Sequence, residues 1–95
     1  MITFEKLKGL AESCVSQGGE PEINLNFSDK ENDYMIKAYK GGCSFQRCGA
    51  HDGSGEFFYE TLDELYETET VDGILLKCDW DKVTEIWSDD IDELA

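Results

Sequence analysis

The stretch INLNF, residues 23–27, alternates apolar and polar side chains, so an extended strand would bury one face and expose the other. The stretch YMIKAYK, residues 34–40, is rich in β-forming residues and is followed by Gly41 and Gly42, a pair typical of a hairpin turn. CSFQRCG, residues 43–49, then returns along the second strand. These three segments predict an antiparallel sheet of three consecutive strands.

Helical patterns lie on both sides of the strands. Apolar residues at spacings of three and four predict a first helix over residues 3–17, which Gly18, Gly19 and Pro21 would end. Thr61 and Glu64 have the spacing of a capping box, which predicts a short second helix. The run Ile-Leu-Leu at residues 74–76 fits either a buried strand or a connector.

A last helix is predicted after Asp79, because five apolar residues recur at helical spacing: Trp80, Val83, Trp87, Ile91 and Leu94. The expected order is therefore α-β-β-β-α-(β)-α. We expect one α+β domain over residues 1–95, a three-stranded antiparallel sheet with helices packed mainly on one face.

Composition excludes several classes of function. The chain has 95 residues, of which 40% are hydrophobic, and 8 Lys and Arg stand against 22 Asp and Glu, a formal charge of −14. This charge disfavours direct binding to nucleic acid or to an anionic membrane. No apolar run is long enough for a membrane span and the start lacks the apolar region of a signal peptide, so we expect a cytoplasmic protein.

The acidic residues are concentrated in the second part of the chain. Residues 1–50 hold seven acids and six cations, whereas residues 51–95 hold fifteen acids and two cations, a net −13. On the predicted last helix, Glu85, Asp89 and Glu93 follow one another at i,i+4 steps. We predict that a partner-binding surface includes eight acids: Glu64, Glu67, Asp81, Glu85, Asp89, Asp90, Asp92 and Glu93.

Two interpretations of this charge stay open. An acidic surface keeps a small protein in solution and need have no partner. Alternatively, carboxylates one helical turn apart, roughly 6 Å, have a spacing similar to that of neighbouring phosphates along a nucleic-acid strand. Such a surface fits the basic groove of a nucleic-acid-binding protein, for example a nucleic-acid-binding enzyme. We expect the second: a non-enzymatic binding protein or inhibitor with a basic protein partner and no cofactor.

The small size, the acidic balance and the order of helix, three strands and helix resemble small phage-encoded anti-CRISPR inhibitors that imitate DNA. The resemblance is one of layout and charge and covers most of the chain. It implies an inhibitor of a nuclease effector that needs no cofactor, and it transfers no individual functional residue.

Cys43, Cys48, His51 and Cys78 are possible zinc ligands, which keeps a small zinc protein as a minor alternative. Cys43 and Cys48 are an odd number of positions apart and would point to opposite faces of a strand, so we expect ordinary thiols and no metal. The glycine-rich loop of residues 49–55 is expected to be mobile. The polar side chains that could act together with His51 lie in the same loop. Because the groups of a catalytic triad normally come from separate elements of the fold, we expect no triad here.

Trp80 and Trp87 are two turns apart on the predicted last helix. Aromatic residues at helical spacing usually fill a core. If one of the two were exposed beside the carboxylates, it would instead serve as the anchor of an interface with an acidic rim.

Overall fold

The protein is described from a computed structural model, which covers residues 1–49 and 55–94. The helices are α1 (Phe4–Ser16), α2 (Leu62–Glu67) and α3 (Leu76–Asp79). The strands are β1 (Glu22–Phe27), β2 (Asp33–Tyr39), β3 (Gly42–Arg47), β4 (Glu56–Tyr59) and β5 (Val83–Trp87). Single 3-10 turns at Val71–Gly73 and Trp80–Lys82 precede α3 and β5.

The five strands form one antiparallel sheet in the order β4-β3-β2-β1-β5. The first four strands follow one another as a meander, and β5 returns to pair with the free edge of β1. Leu25 lies opposite Tyr34 on β2 and opposite Ile86 on β5. The α+β class and the three predicted strands are confirmed, but the predicted sheet of three strands is wrong because β4 and β5 extend it on both sides.

The predicted last helix is also wrong. Only residues 76–79 are α-helical in this region, and residues 83–87 form β5. The segment VTEIW contains β-branched and aromatic residues that favour a strand, and β1 offers it an edge for pairing. Glu85, Asp89 and Glu93 therefore do not lie along one helix face.

The helices pack on one face of the sheet. Phe4 and Leu7 of α1 and Leu65 of α2 share a core with the inward side chains of the strands, such as Ile23 and Ile36. These inward residues alternate along β1 and β2 with less buried ones, as the period-two pattern predicts. The opposite face contributes no residue to this core.

The starts of the first two predicted helices have side-chain caps. Thr3 Oγ1 accepts a hydrogen bond from the Lys6 amide at 3.1 Å, and Thr61 Oγ1 accepts one from the Glu64 amide at 3.0 Å. The Glu64 carboxylate reaches back to the Glu60 amide at 3.4 Å, one residue earlier than a standard capping box. The starts of α1 and α2 are thus determined by local sequence.

The hairpin between β2 and β3 depends on its two glycines. Gly41 has a φ of +94°, and a Cβ on Gly42 would lie 2.9 Å from the carbonyl oxygen of Tyr59. Side chains at these positions would strain the turn or push β4 away from β3.

Residues 50–54 of the predicted mobile loop, including His51, lie outside the described residues. In the ranges 1–49 and 55–94, no helix is both long enough and apolar enough to cross a membrane.

Candidate partner-binding surface

Trp87 is the last residue of β5 and lies on the face of the sheet that the helices leave uncovered. Its Cα is paired with that of Asn24 on β1, whose side chain shares this face. Trp87 is 46% exposed, whereas Val83, Ile91 and Leu94 are 6% exposed or less. Of the five residues that suggested the last helix, Trp87 is the exposed one, Trp80 is half-buried and the other three are buried.

We call the uncovered side of the sheet the open face. It consists of alternate residues of the five strands: Glu22, Asn24, Asn26, Asp33, Met35, Lys37, Tyr39, Ser44, Gln46, Glu56, Phe58, Glu85 and Trp87. Neighbouring strands are about 4.8 Å apart, so the face is roughly 19 Å wide from β4 to β5.

Carboxylates lie beside Trp87 on the open face. Glu85 precedes it by two residues on the same side of β5, a distance of about 7 Å along the strand. Glu85 is paired with Asn26, whose side-chain amide donates a hydrogen bond to Asp33 on the next strand. The exposed carboxylates of Glu85 and Asp33 thus lie on either side of the Asn26 amide, in a row that crosses β5, β1 and β2.

The other edge of the open face carries a second aromatic residue. Phe58 on β4 is 65% exposed and is paired with Ser44. Ser44 itself is buried, and its hydroxyl donates a 2.9 Å hydrogen bond to Glu56. Between the two aromatic edges, side chains such as Met35 are partly exposed.

The chain after β5 brings further carboxylates to the same end of the sheet. Ile91 and Leu94 are buried and hold this segment against the core. Asp90 accepts a 3.0 Å hydrogen bond from the Glu22 amide at the start of β1. Asp90, Asp92 and Glu93 line one crevice of about 240 Å³ against α1.

The remaining predicted acids lie elsewhere. Glu64 and Glu67 are exposed on α2, and Asp81 is exposed in the turn before β5. Glu67 lines a cleft at the start of α1. The crevice at Cys14 lies ten residues further along that helix, a distance of about 15 Å. The structure therefore divides the eight acids among α2, the turn, the open face and the C-terminal segment.

Cations do not neutralise these acids. Within the described ranges, salt bridges engage Lys8, Lys30, Arg47 and Lys82, and their partners are Glu5, Asp29, Asp63, Asp72 and Asp79. None of the eight predicted acids has a Lys or Arg nitrogen within 4.0 Å in that part of the chain.

Sequence reasoning missed the contribution of β1, β2 and β4 to this surface. Asn24 and Asn26 were recognised as the outward side of a strand, and that alternation was the signal that an uncovered face existed. Glu22, Asp33 and Phe58 were not identified, because only the strand pairing shows that β1 lies beside β5, that Asp33 lies opposite Asn26 and that Phe58 lies opposite Ser44.

The possible zinc ligands differ in their exposure to solvent. Cys43 is buried, Cys48 is half-buried and Cys78 is exposed, while His51 lies outside the described residues. Burial, with a smaller effect of Glu64, raises the pKa of the Cys43 thiol to about 11. Residues 1–49 and 55–94 contain no group of three His, Cys, Asp or Glu side chains arranged to hold a metal ion.

Comparisons of this chain with protein-family models, with curated proteins and with solved structures found no match.

Proposed function

We propose that the protein is a non-enzymatic binding protein, an inhibitor in the manner of a DNA mimic, and that it contacts a basic protein partner through the open face and the C-terminal segment. The observation that carries this proposal is the exposed Trp87 beside Glu85 on an edge strand. Aromatic residues that combine large contact area with few rotatable bonds often supply much of the binding energy at interfaces.

Charge gives the surface its selectivity. Its predicted acids, Glu85 on the open face and Asp89, Asp90, Asp92 and Glu93 in the C-terminal segment, lack salt bridges to the described cations, and the second part of the chain carries a net −13. Such a field attracts a basic surface and repels nucleic acid and anionic membranes. A partner that normally binds nucleic acid, such as a nuclease, offers the basic groove that this surface fits.

The position of the acids changes the form of the mimicry expected from sequence. On an extended strand, Glu85 and Trp87 are about 7 Å apart, and the row of Glu85, Asn26 and Asp33 spans about 10 Å across three strands. A basic partner would therefore meet a flat, two-dimensional array of carboxylates with an aromatic side chain at its edge.

The test is affinity capture from a host lysate at low salt on columns of wild-type protein, Trp87→Ala and Glu85→Lys. We expect the wild-type column to retain a nucleic-acid-binding protein that either high salt or duplex DNA elutes. Both variants should retain much less of it, since one removes the anchor and the other places a cation on the acidic face.

Two matched variants serve as controls. Phe57→Ala removes an aromatic residue that is 44% exposed, nearly as much as Trp87, but lies on the helical side of the sheet, where it is paired with Phe45, and Glu12→Lys reverses an exposed acid on α1, on the same side. Circular dichroism establishes that all variants are folded. Equal retention by the Glu85 and Glu12 variants would show that the open face is not the binding surface. If the charge serves only to keep the protein in solution, none of the columns should retain a nucleic-acid-binding protein.

A further inference from the structure

A cleft of about 730 Å³ opens where the start of α1 meets α2 and the turn before β5. Phe4 forms its floor, stacked on Tyr66 at a centroid distance of 4.3 Å and edge-to-face with Trp80 at 5.3 Å. The indole nitrogen of Trp80 donates a 3.0 Å hydrogen bond to the Ile2 carbonyl. This nitrogen is the only polar atom of the Trp80 side chain and is already hydrogen-bonded. A ligand in the cleft would therefore contact the surface of the indole ring.

Carboxylates surround these rings. Glu5, Asp63 and Glu67 line the cleft together with two cationic groups, the Lys8 side chain and the amino group of Met1. Lys8 is already engaged, with its Nζ 3.0 Å from Asp63 and 4.0 Å from Glu5. Glu67 is exposed and has no Lys or Arg nitrogen within 4.0 Å in the described part of the chain.

We propose that this cleft binds an organic cation: a guanidinium or ammonium group on an apolar stem. Aromatic faces attract cations and pack against an apolar stem, and the lining carries three carboxylates against two cationic groups, of which Lys8 is already paired with Asp63. The volume lies within the range of roughly 300 to 1,000 Å³ that is usual for small-molecule sites. The cleft shares no residue with the open face, so this proposal does not depend on the proposed function.

The decisive probes are N-acetyl-arginine amide and N-acetyl-citrulline amide, which have nearly the same shape but differ in charge. Binding is followed by the fluorescence of Trp80 in a Trp87→Phe background and by the amide resonances of residues 66, 67 and 80. We expect the arginine probe to bind at least ten times more tightly than the citrulline probe. In the same background, Glu67→Gln should weaken arginine binding several-fold.

Glu20→Gln is the matched control, because it removes one exposed carboxylate in the connection between α1 and β1 and leaves the cleft unchanged. Equal binding of the two probes, an unaltered affinity in Glu67→Gln, or no shift with the arginine probe at about 20 mM would overturn the proposal. A blocked Gly-Arg-Gly peptide separates the two sources of the cation. Tighter binding of the peptide indicates a protein segment, and equal binding indicates a small molecule.

Discussion

The hydroxyl of Tyr34 donates a 2.6 Å hydrogen bond to Oδ2 of Asp72, which links the centre of the sheet to the turn ahead of α3. The other carboxylate oxygen accepts a 2.7 Å hydrogen bond from Arg47. The Tyr34 hydrogen bond, followed by Arg47, holds the pKa of Asp72 below its usual range. Asp72 has a φ of +57°, a conformation that aspartate tolerates better than most residues.

Replacing Asp72 by Ala should destabilise the protein more than replacing Tyr34 by Phe. The first change leaves the buried Tyr34 hydroxyl without its acceptor and costs about 1–3 kcal/mol, whereas the second removes that polar group as well and costs about 1 kcal/mol. Urea unfolding of both single variants and of the double variant measures the coupling. Asp72→Asn, which keeps an acceptor and tolerates the same φ, is the control. Strict additivity would contradict the interaction.

Alkaline solution should weaken the fold through Tyr34. Burial, followed by the hydrogen bond and the charge of Asp72, raises the pKa of Tyr34 to about 12 from an ordinary value of 10.0. Its contribution is therefore complete below pH 10 and is lost as the pH rises to about 12, a change on the order of 2 kcal/mol. Cys43 also titrates in this range, so the difference in unfolding free energy between wild type and Tyr34→Phe isolates the tyrosine. A constant difference between pH 8 and pH 12 would show that Tyr34 contributes nothing.

The cysteines should react with alkylating reagents in an order set by their exposure. We expect iodoacetamide to label exposed Cys78 first and buried Cys43 only after unfolding, because Cys43 is inaccessible and its raised pKa keeps it protonated. Mass spectrometry of peptides from native and denatured protein gives the order. Protection of Cys78 together with Cys48, and one zinc per chain by elemental analysis, would contradict the prediction that the protein binds no metal.

Salt should stabilise the protein. Screening reduces repulsion among acids that lack cationic partners, and we expect the free energy of unfolding to rise by about 0.5–1 kcal/mol from low to moderate ionic strength. Denaturation midpoints in NaCl measure the effect. The variant Glu85→Lys with Asp89→Lys should show a smaller rise, and a fall in stability with salt would mean that attractive pairs dominate.

Local patterns in the sequence were sufficient to predict the first half of the fold. The alternation of Ile23, Leu25 and Phe27 gave the correct inward face of β1, apolar spacing gave the position of α1, and the capping box at Thr61 gave the start of α2. Each of these features depends on residues a few positions apart. Their physical cause is therefore visible in a short window of sequence.

Most predictions for the second half of the chain failed, because its structure depends on pairing between segments that are far apart in the sequence. The helical spacing of Trp80, Val83 and Trp87 arises by coincidence across a turn and a strand, with Val83 inward and Trp87 outward. Phe57 and Phe58 are both exposed on a four-residue edge strand and show no burial alternation. The predicted acids likewise come together only in part, since a strand and not a helix carries Glu85.

The pairing of β5 with β1 also determines when the surface around Trp87 can exist during synthesis. The pairs within residues 22–59 join neighbouring strands through short connections, whereas the pair of Asn24 and Trp87 closes a loop of about 60 residues at a larger entropic cost. A ribosome must therefore translate past residue 87 before β1 loses its free edge. A nascent chain would have its hairpins before it could engage a partner through this surface, so binding competence would report that the sheet has closed.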